Sequence, residues 1–343
     1  MPIKDAIILA GGFGTRLRPL TARTPKPLLP LGNRPFVESL FARLAGAGVE
    51  RVVLSVHHQA PAWRHALPKL RRFSLKVVLR RETRPLGTGG AIRFAWPDPD
   101  RSCLVLNGDA LSDFDISRLQ RDHSRGGNAA TLWALAVDDT RAFGVLECGA
   151  GGHVTRFVEK PRPGQSRSHL INAGLYALEP NVLHFIPRGR AVSVEREVFP
   201  ELLHAGLGIG VSRSPSATYW NDIGTPEAFL RANMDLLGGR LWGGRGEALR
   251  IWGRPNGRKN LVAVSARIAP GAKVSSSVLG SNCRIDAGAE VRGCVLLAGV
   301  RVEQGARLEG VLLSEGVHVG ARCQLKPGLV LGSSSRLAAD SRL

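Results

Sequence analysis

Acidic residues are scarce. The chain has 28 Asp and Glu against 47 Lys and Arg, a net charge of +19 over 343 residues. Cysteine is scarce too. Cys103, Cys148, Cys283, Cys294 and Cys323 are odd in number and form no C-x-x-C pair. That suits reduced, buried side chains better than a disulfide framework or a cysteine zinc site. No apolar run reaches the ~18 residues that span a membrane. The start runs almost directly into an apolar strand, without a charged leader and small-residue cleavage site, so a cytoplasmic protein is expected. Two familiar phosphate cradles are also missing. No Lys follows Gly14, which excludes a Walker loop, and counting G-x-G-x-x-G from Gly12 ends on Leu17, which excludes the dinucleotide fingerprint.

The basic excess is uneven. Residues 262–343 carry 10 basic and 6 acidic groups, and residues 238–261 carry 6 basic and 1 acidic. Such a surface attracts either nucleic acid or small polyanionic substrates. Gly238–Leu261 is Gly- and Arg-rich with Trp242 and Trp252 interleaved. It is expected to be a linker whose tryptophans pack between domains. Basic residues among aromatics also suit single-stranded nucleic acid, but this stretch is short and irregular.

What is present is concentrated near the start. Ala6–Ala10 is a short apolar run suited to a strand buried on both faces of a parallel sheet. It breaks into Gly11, Gly12 and Gly14, followed by Thr15, Arg16 and Arg18. Glycines let backbone N–H groups approach an anion, and arginine forks match phosphate oxygens. A polyphosphate cradle after the first strand is the expectation; a plain glycine-rich turn is the alternative. In Thr24–Leu31, Lys26 sits between Pro25 and Pro27, which limits the backbone behind its ammonium group.

Helices are predicted over 35–48, 61–70, 88–95 and 116–123, and strands over 51–56, 75–79, 102–109, 129–137, 143–148 and 153–159. Arg84–Ala91, with Pro85, Gly87 and Thr88, is a second glycine-rich turn entering a helix, where backbone donors favour anions or base edges. Asn107-Gly108-Asp109 ends a strand in a carboxylate. Ligands gather beyond strand carboxyl ends, and a carboxylate beside phosphates suits Mg²⁺. Asp113 and Asp115 read as turn and N-cap residues, Asp138 and Asp139 as a solvated pair, and His57 and His58 as structural. Gly144 lets a ligand press on backbone. Glu159 and Lys160, with Pro161 starting a turn, suit a sugar phosphate or form an exposed ion pair of little worth. Asn172 adds an amide that donates and accepts. Ser193 is expected to cap a helix. Asp222 precedes a helix capped by Thr225 with Pro226 first, and is expected to be free as a second metal ligand.

The last third repeats. Ile268, Ile285, Val302 and Val319 recur every 17 residues, as do Val274, Val291, Leu308, Leu325 and Val278, Val295, Leu312, Leu329. Gly271, Gly288 and Gly305 keep the register. Three aliphatic columns at this spacing predict a left-handed parallel β-helix with one irregular side. His318 lies within it without an evident partner.

Together these stretches resemble the sugar-phosphate nucleotidyltransferases, most closely the mannose-1-phosphate guanylyltransferase branch with a β-helix tail. The resemblance rests on Leu9–Thr21, Pro25–Leu28, Pro85–Thr88, Asn107–Asp109, Glu159–Pro161, Asn172–Gly174 and Trp220–Pro226. It implies an α/β fold with a Rossmann-like, mixed and mostly parallel sheet over 1–237, the linker over 238–261 and the β-helix with its tail over 262–343. It further implies in-line attack by a sugar-1-phosphate on the α-phosphorus of a nucleoside triphosphate, releasing pyrophosphate. On the family pattern Arg16, Lys26, Asp109 and Asp222 are catalytic, and Asp109 and Asp222 hold Mg²⁺. Leu9, Ala10, Gly11, Gly12, Gly14, Thr15, Arg16, Pro85, Gly87, Thr88 and Asp109 bind the nucleotide. Gly144, Glu159, Lys160, Asn172 and Asp222 bind the sugar phosphate.

GTP with mannose-1-phosphate is the expected pair. The alternatives are heptose-1-phosphate guanylyl transfer, glucose-1-phosphate uridylyl, thymidylyl or adenylyl transfer, and a silent regulatory subunit of the same build. Retention of Arg16, Lys26, Asp109 and Asp222 speaks against the last. Acyl transfer by the solenoid and nucleic-acid binding are weaker. Neither a membrane nor a nucleic-acid partner is expected, and a homo-oligomer formed through the β-helix is.

Overall fold

The computed structural model describes residues 2–57, 59–70, 73–216, 218–241 and 259–343. His58, Trp242, Trp252 and most of the expected linker lie outside them. The chain forms two compact units, Met1–Gly12 with Ser39–Trp220, and Phe13–Glu38 with Asn221–Leu343. The glycine-rich turn is thus a point where the backbone passes from one unit to the other.

The first unit is built on a mixed nine-stranded sheet. Its strands are β1 (Asp5–Leu9), β2 (Arg51–Val56), β3 (Lys76–Arg81), β4 (Cys103–Asn107), β5 (Ala130–Ala136), β6 (Gly144–Cys148), β7 (Val154–Glu159), β8 (Leu170–Leu178) and β9 (Ile209–Arg213). The order is β7-β6-β8-β4-β1-β2-β3, with β5 pairing β8 and β9. β1 lies parallel to both β2 and β4, with Ile7 opposite Val53 and Val105. Ala6, Ile7 and Ile8 are fully buried, as a central parallel strand requires. Antiparallel pairing begins at β8, which carries the return of the chain.

The helices are α1 (Val37–Gly46), α2 (Ala60–Leu70), α3 (Gly87–Ala95), α4 (Ile116–Gly126) and α5 (Phe199–His204). α4 buries Ile116, Leu119, Gln120 and His123, the i, i+3, i+4, i+7 stripe of an amphipathic helix. Asp115 caps it as expected, accepting from the Arg118 N–H at 2.8 Å. Asp113 does more than turn the chain: its carboxylate meets Arg43 Nη2 at 3.3 Å. Asp139 pairs with Arg141 in solvent.

His123 is buried between α4 and the sheet, with Nδ1 2.8 Å from Thr131 Oγ1 and Nε2 2.9 Å from Glu179 Oε1. Glu179 also accepts from Ser102 Oγ. Burial pushes the His123 pKa below its ordinary 6.5, against the pull of Glu179. The unfolded chain therefore binds this proton more readily, and stability falls as pH drops below about 6.5. We expect His123→Gln, which keeps a donor and an acceptor, to lose less stability than wild type between pH 7.5 and 5.5. Denaturant unfolding at the two pH values checks it.

The second unit holds α6 (Pro226–Leu237), capped by Thr225 through the Ala228 N–H at 3.2 Å. A short hairpin, Pro30–Leu31 with Arg34–Pro35, turns at Gly32 and Asn33. Gly32 N–H donates to the buried Asn233 of α6 at 2.9 Å. Asn33 Nδ2 donates to the Leu279 carbonyl at 2.8 Å, tying the same turn to the solenoid.

Residues 261–337 form three parallel sheets of short strands stacked rung on rung, the three sides of a left-handed β-helix. Two sequence expectations are corrected here. The third inward column is Leu279, Leu296 and Leu313 with Leu331, not Val278, Val295 and Leu312, while Leu329 does pack against the core but out of register with that column. Adjacent strand residues face opposite ways, so Val278, Val295 and Leu312 point outward, although they too are buried. The short side is therefore the one between Val274 and Leu279. The last coil is also longer by one residue, since Leu312 pairs with Val330 rather than Leu329. The extra residue falls after Leu325, around Pro327-Gly328. Gly271, Gly288 and Gly305 do hold left-handed corners, with φ 80°, 70° and 67°. His318 has a partner after all, Glu303 Oε1 at 2.7 Å.

Candidate functional site

In the first unit, the ends of β1 and β4 are fastened together. Gly108 N–H donates to the Leu9 carbonyl at 2.9 Å. A Cβ on Gly108 would lie 2.6 Å from that oxygen. Only glycine permits this approach, and it brings the backbone that carries Asp109 to the end of the strand leading into Gly11 and Gly12. Asn107 Oδ1 is buried with no hydrogen-bond partner among the described residues.

Beneath Gly11 sits a carboxylate that the sequence did not single out. Glu82 is 4% exposed and its Oε1 would be 2.9 Å from a Cβ at Gly11. It accepts from Ser55 Oγ at 2.8 Å and from the Leu86 N–H at 3.2 Å. The signal was available: Glu82 immediately follows β3, beyond its carboxyl end, where ligands gather. His57 Nδ1 lies 3.2 Å from the Glu82 carbonyl, a structural contact as expected.

The second glycine turn is built differently from the expectation. Gly87 has φ 67°, and a Cβ there would lie 2.4 Å from the Val192 carbonyl. The N–H of Gly89 donates to that same oxygen at 2.8 Å, and that of Gly90 at 3.3 Å. Leading amides of α3 are thus used within the protein and not left for an anion. Thr88 is also engaged, donating to Glu195 at 2.6 Å and accepting from the Val194 N–H at 2.9 Å. Ser193 caps as expected, but the turn it opens, Val194–Val198, is π-helical.

Gly144, Glu159 and Asn172 lie on β6, β7 and β8, and Lys160 immediately follows β7. A Cβ on Gly144 would be 2.7 Å from Glu159 Oε2. Lys160 has φ 51° and its N–H closes on the Phe143 carbonyl at 2.9 Å, so the turn begins there. Its ammonium group can therefore lie on the same side as Glu159, 4.0 Å from Oε1. Burial raises the Glu159 pKa above its ordinary 4.5, and the charge of Glu195 adds to this, against Lys160 and Arg196. Trp220 stacks edge-on with Phe143 at 5.1 Å and donates from Nε1 to the Ala173 carbonyl at 3.1 Å. These contacts hold Phe143-Gly144 and Asn172-Ala173-Gly174 in place.

In the second unit, three predicted catalytic residues converge. Lys26 Nζ is 3.2 Å from Asp222 Oδ1, and Arg16 Nη2 is 3.8 Å from Asp222 Oδ2. Lys26 is 10% exposed and Arg16 70%, so one cation is built in and the other reaches into solvent. Asp222 is therefore ion-paired, where the sequence left it free. Gly14 takes φ 60° and its carbonyl accepts from Thr21 Oγ1 at 2.8 Å, which shapes the turn carrying Thr15 and Arg16. A Cβ on Gly332, in the last coil of the solenoid, would come 3.3 Å from Pro19 Cβ, so that coil abuts the end of the same loop.

Residues 5–239 match the family model described as nucleotidyl transferase, more than half of the chain. The chain belongs to the nucleotidyl transferase family. Residues 257–342 of this nucleotidyl transferase match a second model, the GMPPB C-terminal domain. It is similar to a mannose-1-phosphate guanylyltransferase of Mycobacterium tuberculosis, 38% identical over 80% of this chain and 79% of that one. It is 37% identical to a mannose-1-phosphate guanyltransferase of Emericella nidulans over 66% of this chain and 62% of that one. It is 34% identical to a protein named as the catalytic subunit beta of this enzyme in Drosophila melanogaster, over 66% and 60%. The chain thus spans less than two thirds of the fungal and fly relatives' length. No described helix of this nucleotidyl transferase is long and apolar enough to cross a membrane.

Proposed function

We propose that this nucleotidyl transferase joins GTP and mannose-1-phosphate into GDP-mannose and releases pyrophosphate. The observation that carries the reading is the meeting of Lys26 and Arg16 on Asp222, where cations and a carboxylate serve a polyphosphate substrate. The relatives named as mannose-1-phosphate guanylyltransferases support the base and the sugar. The matches over 5–239 and 257–342 support a functional division into a catalytic part, 1–237, and a β-helical part, 262–343.

The attacking phosphate oxygen is already an anion, so no general base is required. Catalysis then consists of positioning and charge neutralisation. Lys26 counters charge at the α-phosphate and Arg16 holds the leaving pyrophosphate. Leu9, Ala10, Gly11, Gly12, Gly14 and Thr15 let the triphosphate approach the backbone, with Pro85 and Gly87 beside the nucleoside. Thr88 supports that turn through its inward hydrogen bonds. Glu159 and Asn172 bind sugar hydroxyls, Gly144 gives the ring room and Lys160 meets the sugar's phosphate.

The donor set fits a divalent metal of the Mg²⁺ kind. Among the described residues no three His, Cys, Asp or Glu side chains cluster, and Mg²⁺ needs only one or two carboxylates when substrate phosphates complete its shell. The partnerless oxygen of Asn107 lies next in the chain to Gly108-Asp109. Asp109 and Asp222 would hold the ion, which would supply further neutralisation of phosphate charge. Self-association through the β-helix is part of the same proposal, supported by the exposed Val264 and Ile268. Light scattering tests it.

Pyrophosphate release with four nucleoside triphosphates against mannose-, glucose- and heptose-1-phosphate tests the substrates. Preference for GTP with mannose-1-phosphate is expected; preference for another pair overturns the assignment of base or sugar.

Glu159→Gln separates binding from stability. Because its native pKa lies above the unfolded value, the charged form is disfavoured in the fold, and the penalty sets in as pH rises through that native value. At pH 7 the variant is expected to melt no lower than wild type, while the KM for mannose-1-phosphate rises at least about tenfold. Melting curves and initial rates check both.

A further inference from the structure

Glu195 has no part in the scheme above, yet its carboxylate joins two sides of the first unit. Oε2 accepts from Thr88 Oγ1 at 2.6 Å and from Ser193 Oγ at 2.9 Å. Oε1 accepts from the fully buried Tyr176 Oη at 3.4 Å. Tyr176 Oη in turn accepts from Asn172 Nδ2 at 2.8 Å, and Asn172 Oδ1 accepts from the Gly174 N–H at 3.1 Å.

The direction of this chain is forced by proton count. A hydroxyl has one hydrogen, and an ionised carboxylate can only accept. Tyr176 therefore gives its proton to Glu195 and must receive from the amide. That fixes the NH2 of Asn172 toward Tyr176, and the Gly174 N–H independently fixes its oxygen the other way. One N–H and one lone pair of Asn172 remain for a ligand. On the other arm, Thr88 spends its proton on Glu195 and takes the Val194 N–H, which locks the turn that carries Gly87. The charge of Glu195 is also felt at Glu159, so the network reaches both ends of the sugar-side cluster.

We propose that Glu195 is a positioning residue with two arms: through Tyr176 it sets which edge of Asn172 meets the sugar hydroxyls, and through Thr88 it holds the nucleotide turn. The sugar arm is a determinant of selectivity between C2 epimers of the sugar-1-phosphate. This rests on the proposed guanylyltransferase function.

The test uses the full chain with Tyr176→Phe, Thr88→Val and Glu195→Gln, assayed for GTP, mannose-1-phosphate and glucose-1-phosphate. Tyr176→Phe is expected to raise the mannose-1-phosphate KM about tenfold, with the GTP KM within about twofold and the preference for mannose-1-phosphate over glucose-1-phosphate reduced about tenfold. Thr88→Val is expected to raise the GTP KM and leave epimer preference in place, and Thr88→Ser to restore it. Glu195→Gln is expected to move both constants. Equal shifts of both KM values in all three variants, or an unchanged epimer ratio in Tyr176→Phe, overturn the proposal. If the wild type turns over no sugar-1-phosphate, the functional assignment falls and takes this inference with it; if the wild type is active and the ratios do not move, only the inference falls.

Discussion

Asp222→Asn is expected to lower kcat by about three orders of magnitude while leaving the fold intact. Asp222 is about a third exposed and lies before the cap of α6, so no core packing depends on its charge. Its charge is what matters. It faces Lys26 at 3.2 Å and Arg16 at 3.8 Å, and an amide of the same shape keeps the volume but removes the negative charge that both cations meet. Removing one electrostatic contact of this kind typically slows turnover about 10²–10³-fold. Lys26→Met should fall in the same range, because its ammonium is largely buried against Asp222 while Arg16, the other cation on that carboxylate, reaches into solvent. If both residues act on one transition state, Lys26→Met combined with Asp222→Asn should cost less than the two separate losses multiplied together. Single-turnover rates with GTP and mannose-1-phosphate measure this. A variant at position 222 with near-normal kcat would remove it from the reaction.

Gly87→Ala is expected to destabilise the protein, and Gly12→Ala is not, although both glycines stand in the nucleotide-binding set. At Gly87 the backbone has φ 67° and an added Cβ would lie 2.4 Å from the Val192 carbonyl, which already accepts from Gly89. The left-handed conformation costs a β-carbon residue of order 1–2 kcal/mol, and overpacking against backbone adds about 1–3 kcal/mol. A drop of several degrees in Tm follows, together with weakened use of GTP. At Gly12 an added Cβ meets nothing within 4 Å. There the fold should be unaffected, and only the approach of the triphosphate should suffer, as a raised KM for GTP. Thermal melts and initial rates on the two variants separate a glycine needed by the protein from one needed by its ligand.

Much of the local structure around the proposed site was legible because it is written in local spacing. Gly11, Gly12 and Gly14 after an apolar run, Lys26 between prolines, and Thr225-Pro226 at a helix start each carry their meaning within a few residues. Asp115 and Thr225 cap as their positions require, since a cap is a contact across three residues. Partnership over long range was not legible. That Asp222 is ion-paired depends on a contact 196 residues away in sequence. Glu82 under Gly11, and Glu195 between Thr88 and Tyr176, sit in stretches where a glutamate reads as surface. His318 finds Glu303 only because successive coils stack.

The β-helix marks the same boundary. By itself the sequence determined that the last third is a solenoid of 17-residue coils, because inward aliphatics must recur at the coil length whatever surrounds them. Only the tertiary structure decided which of two adjacent aliphatics, Val278 or Leu279, faces inward, since both are buried and periodicity cannot tell one covered face from another. The same holds for the cluster of Lys26, Arg16 and Asp222. The sequence determined which groups carry charge and where glycines break the chain. The fold decided which charges meet, because a salt bridge is a matter of a few ångströms and the chain places no such limit on residues two hundred positions apart.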